Sequence, residues 1–164
     1  MKLSLKKISK ENFSLYGDLI TTRNKISKDI NENTTQSFFD LANIEILGED
    51  NKVRLNIFNA KKRIFPLSID MLEMHPLSSQ VFLPINKVDF IVLVAPSDVK
   101  PDLNKIEIFQ ISNGDGINFK TGVWHFPLIS IQDAQFITID KKNAENNIEI
   151  YKFTKTEKFN LNYE

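Results

Sequence analysis

The feature that most limits the possible folds is a succession of short apolar segments, each ended by glycine, proline, asparagine or aspartate. Roughly ten such segments follow one another, and β-branched and aromatic residues recur in them at short spacing. This pattern favours an antiparallel sandwich or barrel over a βαβ fold, with few short helices. The predicted strands lie at residues 3–8, 20–23, 37–47, 53–58, 67–75, 80–84, 89–94, 105–111, 122–131 and 135–139.

The segments between the predicted strands carry local signals of turns and caps. Ser9 is expected to cap a short helix that Gly17 ends, and residues 101–103 to form a helical turn or a loop. Residues 24–36 are polar and lack apolar periodicity, which indicates a mobile loop that could also act as a lid. The sequence Gly48-Glu49-Asp50-Asn51 predicts a hairpin turn between the strands at 37–47 and 53–58. Residues 69–72 fit either a strand or a helix.

Chain length and composition indicate one domain. The 164 residues, of which 41% are hydrophobic, are enough to bury one sizeable core. We expect a single domain over residues 1–164. The stretch 141–164 is rich in Asn, Lys and Glu with scattered aromatic residues, so it is either a C-terminal arm packed on the barrel or a partly disordered tail.

The charge balance and the absence of cysteine limit partners and chemistry. Lysine plus arginine and aspartate plus glutamate number 21 each, so no net field attracts nucleic acid or an anionic membrane surface. The lack of cysteine excludes disulfides, thiolate metal ligands and cysteine nucleophiles. Residues 1–9 alternate apolar and polar residues, unlike a signal peptide, and no segment has the roughly 20 apolar residues of a membrane helix. We expect a soluble, cytoplasmic protein.

Both histidines lie in segments rich in other polar side chains. Glu73 and His75 are two residues apart, so their side chains leave an extended strand by the same face. Pro76 and two serines then predict a turn that returns Gln80 to the same place, and His125 follows in Gly122-Val123-Trp124-His125. Imidazole nitrogen and carboxylate oxygen suit a divalent transition metal, whereas glutamine is a weak neutral ligand. The alternative to a functional site is that both histidines are hydrogen-bonded core residues and that Glu73 is a solvent-exposed carboxylate.

The spacing Glu-x-His-x4-Gln with a later Gly-x2-His resembles the two motifs of the cupin barrels. Longer strings are similar, in the same order, to those of the ureidoglycolate lyase family over about residues 13–140. The specific ones are E-x-H-P-L-x-x-Q-x-F-x-P at residues 73–84 and W-H-x-P-L at residues 124–128. The others lie at residues 13–18, 92–95, 101–103 and 116–118.

This resemblance implies a cupin-like antiparallel jelly-roll barrel, commonly a homodimer, that splits ureidoglycolate into glyoxylate and urea in the allantoin branch of purine catabolism. Its substrate is a small carboxylate, and its cofactor is either one divalent metal ion or none. The metal ligands would be Glu73, His75, Gln80 and His125. The catalytic candidates are Glu73, His75, His125 and Lys120, and the candidates for substrate contact are Gln80, Asn59, Asn118, Trp124 and Phe82.

Two departures from the family pattern bear on the substrate. The family usually has arginine where this chain has Asn59, and a planar guanidinium is suited to clamp a carboxylate. The nearby cations that could compensate are Lys61, Lys62, Arg63 and Arg54. Phe126 stands where some relatives have a second histidine, on the strand face opposite His125. The missing arginine leaves two alternatives open: a cupin-type module that binds or senses a small acid, and an enzyme for another hydroxy or oxo acid.

Overall fold

Two β-sheets, packed face to face, form most of the protein. The computed structural model describes residues 3–142 and 146–163. Within these residues the helices are α1 (Lys10–Phe13) and a 3-10 turn (Leu103–Lys105). The strands are β1 (Leu5–Lys7), β2 (Gly17–Ile20), β3 (Lys28–Ile30), β4 (Thr35–Ser37), β5 (Val53–Ala60), β6 (Leu67–Ile69), β7 (Met71–Met74), β8 (Gln80–Pro84), β9 (Phe90–Ala95), β10 (Glu107–Ile111), β11 (Gly116–Phe119), β12 (Trp124–His125), β13 (Ile129–Ser130), β14 (Ala134–Lys141), β15 (Glu149–Lys152) and β16 (Phe159–Leu161).

The larger sheet has the order β1-β10-β9-β12-β7-β15, with β13 also paired to β9. The smaller sheet has the order β2-β11-β8-β14-β5. All pairings in the two sheets are antiparallel except that of β1 with β10. This confirms the predicted all-β, mainly antiparallel fold class. The two sheets are separate ladders in the described part of the chain, so the barrel is not closed.

Strand β9 shows how the sequence generates two hydrophobic cores. All six of its residues are apolar and buried, as expected of a strand covered on both faces. Phe90, Val92 and Val94 point into the core between the sheets, together with Phe109 and Phe136. The alternate residues of β9 join a second core on the other face of the larger sheet, whose members include Ile69, Leu72, Ile108, Trp124, Phe126 and Phe153.

The predicted N-cap of α1 is confirmed, but the helix ends at Phe13 with Ser14 as its C-cap, and Gly17, expected to end the helix, instead begins β2. The Ser9 side chain accepts a hydrogen bond from the backbone N–H of Asn12, and the Asn12 side chain accepts one from the N–H of Ser9. These two bonds satisfy donors that the first turn of α1 would otherwise leave free. Asp102 caps the 3-10 turn by accepting from the N–H of Asn104.

Two predictions for the region before β5 are wrong. Residues 38–47 form no strand, only an isolated bridge between Ile46 and Ser78, because their amides bond to other parts of the chain. The N–H of Asn43 donates to Asp18 and that of Glu45 to the Ser79 hydroxyl. The hairpin around residues 48–51 is therefore absent, and β5 pairs with β14 instead. The predicted loop at 24–36 contains most of the β3–β4 hairpin.

Other strand boundaries differ from the prediction. The segment 67–75 divides into β6 and β7, and 122–131 into β12 and β13, because each half pairs with a different strand. Of the ambiguous residues 69–72, Ile69 ends β6, Met71 and Leu72 lie in β7, and none is helical. The predicted second strand lies earlier, at β2, and β11 was not predicted.

The described part of the C-terminal stretch pairs with the rest of the protein. Strand β15 pairs with β7, and β16 pairs with β6, while Phe153 and Leu161 are buried in the second core. Residue 141 still belongs to β14, and residues 143–145 and 164 of the predicted arm lie outside the described residues. None of the described helices has the length and hydrophobicity needed to cross a membrane.

Candidate active site

Strands β7 and β12 bring three polar side chains together. His125 lies directly opposite Glu73 in the antiparallel ladder between these strands. Glu73 and His75 share one face, as strand alternation predicts, whereas Leu72 and Met74 point into the second core. One ligand atom each of Glu73, His75 and His125 lies within 4.8 Å of the other two.

The turn before β12 aligns the two motifs. The N–H of Gly122 donates to the carbonyl of His75 at 2.9 Å. Gly122 has a φ of +77°, and a Cβ there would lie 2.7 Å from the Ser97 hydroxyl. A residue with a side chain would be strained in that backbone conformation and would also clash. Glycine is therefore required where the second motif meets the first.

The orientation of His75 is set by Asn147. Nδ1 of His75 lies 2.6 Å from the Asn147 carbonyl oxygen, and because a carbonyl only accepts, Nδ1 carries the proton. Asn147 is itself held by two hydrogen bonds, from the N–H of Leu77 to its Oδ1 and from its Nδ2 to the Ser78 hydroxyl, both 2.7 Å. Nε2 of His75 is buried without a partner among the described residues, so its lone pair is free.

His125 has the same tautomer but a more buried environment. Its Nδ1 donates to the Val123 carbonyl at 2.9 Å, and its ring stacks on Phe119 at a centroid distance of 4.3 Å. Nε2 is buried and has no hydrogen-bond partner in the described part of the chain. Burial first, and then the charge of His75, lower the pKa of His125 to about 3. His125 is therefore a neutral imidazole near pH 7.

Burial raises the pKa of Glu73, opposed in part by the charge of His75. Its Oε1 lies 3.7 Å from Nε2 of His125. Because His125 is neutral, this approach is not an ion pair, and the carboxyl group receives no compensating charge from it. The environment thus favours the protonated form of Glu73 more than water does.

Glu73 and His75 line a cavity of about 820 Å³. Gln80, at the start of β8, lines it too, and its Oε1 is buried with no partner in the residues described. Phe82 and Asn59 also line the cavity, although the Asn59 Oδ1 already accepts from the Gln135 side chain at 2.7 Å. The structure therefore brings these five predicted residues together, with His125 beside Glu73.

Three other predicted site residues do not line this cavity. The ammonium group of Lys120 donates to the carbonyl of Ser14 and lines a different cavity. The Asn118 side chain donates to Asp18 and to the Asn43 carbonyl, on the outer face of β11. The Trp124 indole packs in the second core and donates to the Asp98 carbonyl. Their expected roles at a common site are not supported by this placement.

Strand alternation would have separated two of these residues, Trp124 and Asn118, from the site. Trp124 neighbours His125 on β12, and Asn118 neighbours Phe119 on β11, so each must face away from the residue that joins the site. The same rule was applied correctly to Phe126, which lies in the second core. Among the described residues that line the cavity, none comes from 24–36.

Sequence reasoning missed Asn147 and Phe119. Asn147 lies in the stretch expected to be an arm or a tail, and an isolated asparagine there carries no signal of a contact with His75. Phe119 belongs to the strand that was not predicted. All four cations proposed to compensate for Asn59 line the cavity: Arg54, Lys61, Lys62 and Arg63.

The cluster fits a divalent transition metal ion by its donor chemistry. One ligand atom from each of two imidazoles converges with one carboxylate oxygen, all three residues are partly or fully buried, and both imidazole Nε2 atoms lack a hydrogen-bond partner among the described residues. Such nitrogen and oxygen donors are the ligands preferred by zinc and neighbouring metals. The same three groups are also the usual players of acid–base catalysis.

The sequence is similar to known proteins over most of its length. A family model described as ureidoglycolate lyase matches residues 1–160. The chain is 40% identical over 147 residues to a ureidoglycolate lyase of Escherichia coli O1:K1, covering 89% of this chain and 91% of that protein. The identity and coverage are the same for a ureidoglycolate lyase of Shigella boydii serotype 18.

Proposed function

This chain belongs to the ureidoglycolate lyase family, and we propose that its cavity cleaves ureidoglycolate into glyoxylate and urea. It is accordingly an enzyme of the lyase class. The observation that carries the proposal is the pairing of a carboxyl group with a free imidazole lone pair, Glu73 and His75, on one cavity wall. The reaction would place the enzyme in the allantoin branch of purine catabolism.

The substrate defines what the side chains must do. Its reacting carbon carries a hydroxyl group, a ureido nitrogen and a carboxylate. As the aldehyde of glyoxylate forms, a base must take the hydroxyl proton and an acid must protonate the departing nitrogen, because a urea anion is a poor leaving group. Two groups with different environments can divide these roles.

We assign the base to His75. The Asn147 carbonyl holds the proton on Nδ1, so Nε2 is an acceptor directed to the cluster. His125 is a poorer base, because its pKa is lowered to about 3. It remains neutral and borders Glu73 with an unprotonated Nε2.

We assign the acid to Glu73, whose pKa is raised by burial. As the hydroxyl proton passes to Nε2 of His75, the carbon–oxygen double bond forms and the carbon–nitrogen bond breaks. The electron pair of that bond goes to the ureido nitrogen, which takes the Glu73 proton and leaves as urea. Since the ligand atoms of Glu73 and His75 lie within 4.8 Å, one water that enters after the products leave can carry the proton from His75 to Glu73 and restore the starting state.

A divalent transition metal ion would be held by Glu73, His75 and His125, with Gln80 as a weak fourth ligand. When bound, the ion would lower the pKa of the substrate hydroxyl group. Metal analysis of the purified protein, together with activity before and after treatment with a chelator, decides between this version and acid–base chemistry by the side chains alone.

The test of the proposal is the release of urea and glyoxylate from ureidoglycolate, measured against the spontaneous rate. Glu73→Gln and His75→Gln should each lower kcat by about 10²- to 10⁴-fold. Arg23→Gln is the control, because Arg23 lies at a different cavity. Release by the wild type no faster than the spontaneous rate would refute the proposed function.

We also propose that two copies of the chain associate. β5 is an edge strand, and its outer face exposes Val53, Leu55 and Ile57 by 54, 65 and 56%. Exposed apolar edge strands pair with or pack against a partner. Light scattering should show a homodimer that Leu55→Lys with Ile57→Lys dissociates, whereas Ile26→Lys with Val99→Lys, at exposed positions elsewhere, leaves it intact. A monomeric wild type would refute this. We expect a cytoplasmic location.

A further inference from the structure

We propose that Arg54, positioned by Asp140, binds the carboxylate of the substrate and selects a small acid over its uncharged analogue. This inference rests on the proposed function of the cavity. It assigns recognition of the carboxylate to Arg54, whereas the family usually has its arginine at the position of Asn59.

The two residues form a two-point contact on the cavity wall. Arg54 Nε donates to Asp140 Oδ1 at 2.9 Å, and Nη2 donates to Oδ2 at 3.1 Å. Both residues line the cavity that contains Glu73 and His75. The Asp140 side chain is only 6% exposed, whereas that of Arg54 is 43% exposed. A buried carboxylate thus fixes an accessible guanidinium.

The fixed guanidinium keeps donors for a second anion. A guanidinium has five N–H groups, and the contact with Asp140 uses one from Nε and one from Nη2. Within the described residues no acceptor contacts the other three. These remaining N–H groups can donate two parallel hydrogen bonds to the oxygens of a second carboxylate. Because Asp140 restricts the arginine in advance, less conformational entropy is lost when the ligand binds.

The sheet register places this pair beside the reacting groups. Arg54 lies opposite Asp140 in the β5–β14 ladder. In the β14–β8 ladder Ile139 lies opposite Val81, so one step further Asp140 faces Gln80. Arg54, Asp140 and Gln80 therefore form a row across three strands on the cavity side. With about 4.8 Å between strands, the backbones of Arg54 and Gln80 are roughly 10 Å apart, and their side chains can reach one small acid.

The other candidates are less suited to this role. The Asn59 side chain has no charge and is bonded to Gln135. Lys61 pairs with Asp133, and its side chain is 86% exposed. Lys62 and Arg63 follow the end of β5. Among the cavity-lining cations of the described chain, Arg54 is the one that a nearly buried carboxylate holds in place.

The experiment compares ureidoglycolate with N-(hydroxymethyl)urea, which has the same hydroxyl and ureido groups on its reacting carbon but no carboxylate. Arg54→Gln should lower kcat/KM for ureidoglycolate by about 10- to 100-fold, the range expected for loss of charged hydrogen bonds. Arg54→Lys should lose less. Turnover of the neutral analogue should change by less than about twofold in both variants, because it has no group for Arg54 to bind.

The chain offers a matched control pair. Arg23 and Asp115 form an ion pair with side-chain exposures of 47 and 7%, close to those of Arg54 and Asp140, at another cavity. Arg23→Gln should leave both substrates unaffected. An equal loss in Arg23→Gln, or an equal loss on both substrates in Arg54→Gln, would refute the carboxylate contact.

The positioning role of Asp140 has its own readout. Asp140→Asn should raise KM for ureidoglycolate with little change in kcat, and Arg54→Gln combined with Asp140→Asn should be no worse than Arg54→Gln alone. Arg54→Gln alone leaves the Asp140 carboxylate buried and unpaired, which could unfold the protein, and the double variant removes that carboxylate. Additive losses would refute the positioning role.

Binding of glyoxylate, measured by calorimetry, separates this inference from the proposed function. The wild type should bind glyoxylate, and Arg54→Gln should weaken binding by about tenfold or more. If glyoxylate binding depends on Arg54 but no urea is released from ureidoglycolate, the carboxylate contact of Arg54 is supported and the lyase proposal fails. If the wild type does not bind glyoxylate, or Arg54→Gln binds it equally well, the carboxylate contact is refuted.

Discussion

Asn147 joins the C-terminal stretch to the candidate active site, and replacing it by alanine tests that link. The side chain is 1% exposed and makes two hydrogen bonds of 2.7 Å, with the N–H of Leu77 and the hydroxyl of Ser78. These bonds hold the segment whose carbonyl accepts from His75. Asn147→Ala therefore removes two bonds directly and the support of His75 indirectly.

The loss of stability can be estimated from these contacts. Two hydrogen bonds contribute about 1 kcal/mol each, and the partly buried N–H of Leu77, left without an acceptor, costs a further amount of about 1–2 kcal/mol. We expect the free energy of unfolding to fall by about 3–4 kcal/mol. Because the bond that orients the His75 ring becomes less well held, kcat should fall by about tenfold or more, the usual effect of losing a group that orients a functional histidine.

The assay is urea-induced unfolding followed by fluorescence, with urea and glyoxylate release measured under native conditions. Asn12→Ala is the matched control: the Asn12 side chain also makes two hydrogen bonds, to Ser9 and to the Lys7 carbonyl, but it is exposed. This control should lose about 1 kcal/mol or less and no activity. Equal losses of stability, or full activity of Asn147→Ala, would refute the reasoning.

Three further predictions follow from the same site. His75→Gln with the fold intact should lower kcat with little change in KM, since a base acts mainly in the transition state; an unchanged kcat in steady-state kinetics would contradict this. The pKa of His125 falls from 6.5 to about 3 on folding. Below pH 6.5 the unfolded chain binds a proton at His125 that the folded protein does not bind, so the free energy of unfolding decreases as the pH falls from 6.5 toward 3. His125→Gln should reduce that loss between pH 7 and 4.5 in urea titrations, and an identical pH dependence would argue against it. Gly122→Ala should lower stability by about 1–3 kcal/mol, seen as a lower Tm, because of its positive φ and the contact with Ser97.

Strand alternation accounts for most of the site that sequence reasoning predicted. Glu73 lies on β7 and His75 one residue past its end, so they share a face because they are two residues apart, and Gln80 joins them where the chain resumes in β8 after the turn. Phe126 faces away from His125 for the same reason. A period of two needs no tertiary information, since it follows from the extended backbone alone.

The errors come from residues whose neighbours are distant in the chain. Residues 38–47 are apolar enough to predict a strand, yet their amides bond to Asp18 and Ser79. Lys120 resembled a catalytic lysine by its position between two motifs, but its ammonium group bonds to the Ser14 carbonyl. Neither partner is visible in a local pattern.

The order of residues was thus sufficient for the all-β class, the family and the choice of Glu73, His75, Gln80 and His125 as site candidates, because these depend on periodicity, turns and motif spacing. The tertiary structure decided which lone pairs are free, which pKa values shift and which cation at the cavity is paired with a buried carboxylate. Those properties depend on burial and on contacts such as those of Asn147 with His75 and of Asp140 with Arg54, whose partners are 72 and 86 residues apart. Only the packed sheets bring them together.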